Sequence, residues 1–150
     1  MKDLPTPDDQ TLTWHDSLLL GYGPIDDTHK EFVEIVQAMQ RASDAEFPAC
    51  LEAFAVHATA HFGAEDAWMI ETEFPPRECH INEHAEVMKS VKEVQALVAQ
   101  GHIVIGRDLV EELVRWFPAH VDYLDSALAQ WMSVRRLGAK PVVLKRSMAQ

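Results

Sequence analysis

His61 and Glu65 stand four residues apart in the stretch HFGAEDAWM (61–69), and His80 and His84 share that spacing in HINEH (80–84). On a helix, residues i and i+4 project from one stripe, so each pair aims at a common point. His29 and His120 fall on apolar stripes of their own, which brings to five the histidines on inward-facing positions. A buried imidazole needs a hydrogen-bond partner and a buried carboxylate needs a counter-charge. Five such rings at one depth would need five separate partners, whereas a metal cation supplies the missing charge to all of them at once. Glu65 is tolerable on an apolar face because positive charge is expected beside it.

The ligand count narrows the metal. Five imidazoles and at least one carboxylate exceed the four donors of a tetrahedral zinc site, and Cys50 and Cys79 are not arranged as zinc thiolates. Two octahedral-leaning ions of intermediate softness, bridged by carboxylates, fit better, and iron is the natural choice. The Glu-x-x-His repeats of ferritin-like carboxylate sites and the H-E-x-x-H signature of metalloproteases are both missing.

Four segments with helical periodicity must position these residues. The first is expected over about 26–42, with Phe32, Val33, Val36 and Met39 inward. The second spans about 44–72, capped by Ser43 or Asp44, with Phe54, Ala58, His61, Glu65 and Trp68 in line, and Phe74, Pro75 and Pro76 end it. The third covers 77–100, with His80, His84, Val87, Val91, Val94 and Val98 on one face and Gly101 as its stop. The fourth covers 107–132, with Leu113, Trp116, Phe117, His120, Leu124 and Leu128 inward. Strand signals are absent. The expected fold is all-α, an antiparallel up-down-up-down four-helix bundle. Residues 1–20 would form an arm anchored by Trp14, Leu18, Leu19 and Leu20, residues 21–134 the bundle, and residues 135–150 a basic tail.

Composition agrees with one domain: 150 residues, 47% hydrophobic and 25% charged, are ordinary globular values, and no uncharged stretch is long enough to span a bilayer. The polar, acidic start MKDLPTPDDQ is unlike a signal peptide, so a cytoplasmic location is expected, with Cys50 and Cys79 as free thiols. The net charge of −11 is uneven. Residues 135–150 hold five basic side chains and no acid, which leaves residues 1–134 with 8 basic and 24 acidic side chains, a net −16. That body would repel nucleic acid and anionic membranes. The basic tail is expected to be solvated and to lie on its own acidic domain, with contact to an acidic partner as the alternative.

DDTHK (26–30), HFGAE (61–65), HINEH (80–84) and WFPAHVDYLD (116–125) together resemble the four ligand motifs of the hemerythrins, particularly the bacterial single-domain ones. The resemblance covers roughly residues 12–132, with all four motifs in order. It implies two non-haem irons joined by an oxo or hydroxo bridge. His80, His84 and His120 would hold one, His29 and His61 the other, with Glu65 and Asp125 bridging them. The second iron would be one ligand short, and dioxygen would bind reversibly there. Asp125 enters through the resemblance alone, because five residues past His120 is about 140° around an ideal helix, whereas Leu124 holds i+4.

Reversible binding requires a small apolar pocket, for which Phe62 and Trp116 are the expected walls. Phe117 stands where leucine is common in the family, and Pro118 should cost one helical hydrogen bond and kink the last helix. Asp122, Tyr123 and His57 are expected at the surface. The implied function is that of a dioxygen carrier, store or sensor, not an enzyme. The alternative is a di-iron redox enzyme acting on peroxide, nitric oxide or ferrous iron. A third reading, a redox-reporting interaction module, is disfavoured by the lack of an attached output domain. The expected partner is dioxygen, with no nucleic acid and no membrane.

Overall fold

The computed structural model describes residues 11–136. Four rods dominate: α1 (Gly23–Arg41), α2 (Phe47–Glu71), α3 (Arg77–Ala99), and a last rod made of α4 (Ile103–His120), a π-helical turn (Val121–Asp125) and α5 (Ser126–Arg136). No strand occurs among the described residues. Consecutive rods pack side by side and α4 closes back against α1, which makes a four-helix bundle. None of the described helices is long and apolar enough to cross a membrane.

The joints have local chemical causes. Pro24 occupies the first turn of α1, where its missing N–H leaves nothing unsatisfied. Ser43 and Glu46 form a reciprocal capping box: Ser43 N–H donates to Glu46 Oε1 at 3.1 Å and Glu46 N–H to Ser43 Oγ at 3.2 Å. That box closes a turn ahead of α2, so the helix begins at Phe47, three residues later than the sequence pattern suggests. At the far end of α2, Glu73 adopts φ 56° ahead of Phe74. Gly101, at φ 98°, stops α3 in the left-handed region that glycine enters without penalty.

The core residues expected on α1 are all buried: Phe32, Val33, Val36 and Met39. On α2 the stripe drifts at its end, so Met69 is fully buried while Trp68 is only half-buried. The segment before α1 lies on the bundle. Leu12 is buried, and its carbonyl accepts from Gln37 Nε2 at 2.8 Å. Trp14, Leu18 and Leu20 pack against the core, but Leu19 is exposed. Buried Asp26 clamps the end of this segment, accepting from the backbone N–H groups of Leu20 at 2.8 Å and Gly21 at 3.1 Å. Residues 1–10 of the expected arm and 137–150 of the expected tail lie outside the described residues.

Candidate metal centre

Each rod contributes to one buried polar cluster. His29 comes from α1, His61 and Glu65 from α2, His80 and His84 from α3, His120 from the end of α4, and Asp125 from the end of the π turn. All seven are at most 4% exposed, in the middle of an otherwise apolar core.

Asp125 gets there through a local change of helical pitch. A π-helical turn closes i→i+5 hydrogen bonds, so the turn takes in an extra residue and position i+5 comes back toward the face of i. Here the turn spans Val121–Asp125, and Asp125 is fully buried below His120. Leu124, expected inward from α-helical spacing, is displaced to a half-buried position. Pro118 stands inside α4 just upstream, and Val121 N–H is shared between the carbonyls of Phe117 and Pro118. The disturbance near Pro118 thus takes the form of a widened turn that re-aims an acid.

The two carboxylates straddle two groups of imidazoles. Glu65 Oε2 lies 2.9 Å from His61 Nε2, while its Oε1 faces His84 Nε2 at 3.4 Å and His80 Nε2 at 3.8 Å. Asp125 Oδ2 lies 2.9 Å from His29 Nε2, while its Oδ1 faces His80 Nε2 at 3.0 Å and His120 Nε2 at 3.2 Å. One donor atom from each of Glu65, His80, His84, His120 and Asp125 falls within 4.8 Å of all the others, and the same holds for His29, His61 and Glu65.

Despite these short separations, His29 Nε2, His80 Nε2, Glu65 Oε1 and both Asp125 oxygens make no hydrogen bond of acceptable geometry. Buried polar atoms at contact distance are ordinarily paired. Donor atoms crowded together and left unpaired fit a set of lone pairs directed at shared points between them, which is what a pair of cations requires.

Two imidazoles are braced from behind. His84 Nδ1 donates to Asp66 Oδ1 at 2.8 Å, and His120 Nδ1 donates to Glu83 Oε2 at 2.7 Å. The same Glu83 oxygen accepts from Trp116 Nε1 at 3.0 Å. A carboxylate on Nδ1–H fixes the tautomer, so that Nε2 presents its lone pair inward, and raises its basicity. Sequence spacing did not single out Asp66 or Glu83; the only signal was an acid next to each of Glu65 and His84. In the metal-free cluster, burial pushes the His84 imidazole down, but the Asp66 and Glu65 carboxylates outweigh it and raise the group to about 9. Burial likewise opposes charge on His120, and Asp125 and Glu83 raise it. For Asp125, burial works against ionisation, yet the imidazoles of His120, His29 and His80 hold its carboxyl well below the usual range.

Aromatic rings surround the cluster. Phe62 stacks on His84 at 4.1 Å and also touches His61 at 5.2 Å. Trp116 stacks on His120 at 4.3 Å. Phe32 and Phe117 stack on each other at 4.3 Å, with Phe117 edge-on to His29 and Phe32 edge-on to His61. The Phe32–Phe117 pair therefore covers the two-histidine group, a contact that needs both helices in place and was not expected from the sequence. Tyr123 is 78% exposed and Asp122 is exposed, as anticipated. His57 is a correction: its side chain is only 12% exposed, packed between Phe32 and His61. One turn before His61, it shares enough of that helix face to be covered. Cys50 and Cys79 are free thiols.

Comparison with known proteins points the same way. A family model described as the hemerythrin HHE cation binding domain matches residues 20–132. The chain is 40% identical over 124 residues to a bacteriohemerythrin of Ralstonia nicotianae, covering 83% of this chain and 90% of that protein. It is 28% identical over 125 residues to a bacteriohemerythrin of Stenotrophomonas maltophilia, covering 79% of each. It is 22% identical over 122 residues to a hemerythrin of Sipunculus nudus, covering 81% of this chain and 94% of that protein. No solved structure matches the chain.

Proposed function

The chain belongs to the hemerythrin family, and from that premise we propose that it binds dioxygen reversibly at two non-haem irons, as a carrier, store or sensor. The observation that carries this reading is the division of each carboxylate between two histidine groups. One oxygen of Glu65 and one of Asp125 face His80, His84 and His120, and their other oxygens face His61 and His29. Accordingly, His80, His84 and His120 would hold one iron, His29 and His61 the other, and Glu65 and Asp125 would bridge them beside an oxo or hydroxo group. The unequal histidine count leaves the second position with one donor fewer. When bound, the iron pair supplies the electrons that dioxygen borrows on binding and returns on release.

The protein's own part is to hold and to shield. Glu83 and Asp66 keep the imidazoles of His120 and His84 in the tautomer that presents Nε2 to the metal. Phe62, Trp116, Phe32 and Phe117 form an aromatic cage in which the closest pair, Phe32 and Phe117, lies against His29 and His61. Excluding water there withholds the protons that would turn reversible binding into oxidation.

The test is to reduce the iron-loaded protein without air, admit oxygen, and follow visible absorption while oxygen is swept out again. Return of the colourless form through repeated cycles is the expected result. Rapid one-way conversion to the ferric protein would instead support the redox-enzyme reading.

A further inference from the structure

An open groove of about 540 Å³ lies between α3 and α4. Glu83, Glu86 and Glu112 line it together with the apolar Val87, Leu113 and Trp116, and no described lysine or arginine does. Glu112 pairs with Arg115 at 2.7 Å, but both side chains are exposed, where such a pair is worth little and an incoming cation can compete for the acid. Acids around an apolar patch complement a protein face of the opposite charge.

The groove also touches the metal cluster. Trp116 stacks on His120 at 4.3 Å with the ring planes 26° apart, and its Nε1–H donates to the same Glu83 oxygen that accepts from His120 Nδ1. Of the four rings that cage the cluster, Phe32, Phe62 and Phe117 are at most 3% exposed, whereas Trp116 is half-buried and lines the groove. One indole therefore links a solvent-facing surface to a ring that the di-iron reading makes an iron ligand. It does so at the three-histidine group, whereas Phe32 and Phe117 cover the other.

That reading, on which this inference rests, creates a need for electrons. Whenever dioxygen leaves as hydrogen peroxide it keeps the two electrons it borrowed, and both irons stay ferric. All seven cluster residues are at most 4% exposed, so no donor protein can touch the metal positions directly. We infer that the α3–α4 groove is the docking site of a small one-electron carrier protein with a lysine- or arginine-rich face, and that electrons enter through Trp116 and His120. The donor gives up one electron per encounter, two encounters return both irons to ferrous, and a proton from water balances the bridge. Electron-transfer encounters use small, weak interfaces and draw their speed from opposite charge, which suits an open acidic groove.

Metal analysis comes first, because an iron-free protein would sink the di-iron reading, whereas docking can be mapped with or without metal. The iron-loaded protein is mixed at low salt with mitochondrial cytochrome c, a carrier ringed by lysines, and joined to it by zero-length carbodiimide. Peptide mapping should place the links on Glu86 and Glu112, and roughly 1 M salt should reduce them several-fold. The entry path is read by stopped-flow reduction of the ferric protein with hexaammineruthenium(II), a cationic one-electron donor. Combining Glu86→Gln with Glu112→Gln should slow reduction several-fold at low salt only. Trp116→Leu should slow it at both salt levels, and Trp116→Phe, which keeps a ring on His120, should recover most of the rate. The cross-link map and the paired-acid variant decide the matter even where Trp116→Leu loses its iron. Links spread equally onto exposed Glu34 of α1 and Glu71 of α2, or a rate unchanged in either the paired-acid variant or iron-loaded Trp116→Leu, would overturn the inference.

Discussion

Glu65 and Asp125 each offer two oxygens, and the bundle gives each oxygen a different set of imidazoles. The histidines are not equivalent. His84 and His120 are braced at Nδ1 by Asp66 and Glu83, whereas the Nδ1 atoms of His29, His61 and His80 have no hydrogen-bond partner. Outer carboxylates of this kind are worth about 10–100-fold in metal affinity. A chelator should therefore remove iron in two phases, first from His29 and His61, with a plateau near one iron per chain. Glu83→Gln should erase that plateau, and single-phase loss from the unaltered protein would contradict the assignment. The same groups set the acid–base behaviour of the metal-free protein. His84 is raised in the folded state, so its contribution to stability is present below about pH 6.5 and is lost as pH rises toward about 9. Asp125 and Glu65 are lowered, so their contribution is present above the ordinary carboxylate range and is lost in acid. Thermal melts of the metal-free protein should be highest between those limits and fall by pH 9. With metal bound the alkaline fall should disappear, because the cation replaces the proton on His84, and acid should strip the metal. Spacing revealed His61, Glu65, His80 and His84 because both partners of each pair sit on one helix. It could not reveal Asp66 or Glu83, whose role depends on the rotation of each helix about its axis.

At the scale of the element, the π turn decides whether the centre has one carboxylate or two. It is the part of the fold least legible in the sequence: α-helical spacing selects Leu124, and Asp125 followed only from the resemblance to known hemerythrins. The physical reason is that periodicity assumes a constant pitch, and the Val121–Asp125 segment abandons it. Deletion of Leu124 offers a direct test. If the π turn carries one extra residue, removing it restores an α-helix with the acid at i+4 from the histidine, still on the inner face, and leaves Leu128 and Ala129 in the core. Iron content should be kept and stability should change by less than about 1 kcal/mol, within the range of mild substitutions. Were the segment an ordinary α-helix, the deletion would turn every later residue by about 100°, expelling fully buried Leu128 at a cost of several kcal/mol. Melting curves and iron analysis of the deletion variant distinguish the two. Helix ends were less legible than helix faces: a cap at Ser43 or Asp44 was visible, but that Ser43 pairs with Glu46 to close a separate turn before Phe47 was not.

For the molecule as a whole, the bundle is a scaffold that keeps ionisable groups dry. Five imidazoles and two carboxylates sit where a core would otherwise be aliphatic, and without cations several of their atoms are unpaired. A metal bound only by the folded chain stabilises it by mass action, so iron loading and folding should be linked throughout. His61→Ala and His84→Ala should each lower iron content and melting temperature together. An equal loss of stability in both the loaded and the metal-free protein would mean that the histidines serve only packing. The four-rod architecture and every cluster residue but Asp125 followed from helical periodicity, since apolar stripes and fixed spacings survive in one dimension. The cage made by Phe32 with Phe117 and the burial of His57 did not, since they arise where separate rods meet. The most direct test of the account is metal analysis of protein purified from iron-replete cells. The account predicts two irons per chain. Substoichiometric iron, or zinc in its place, would contradict it.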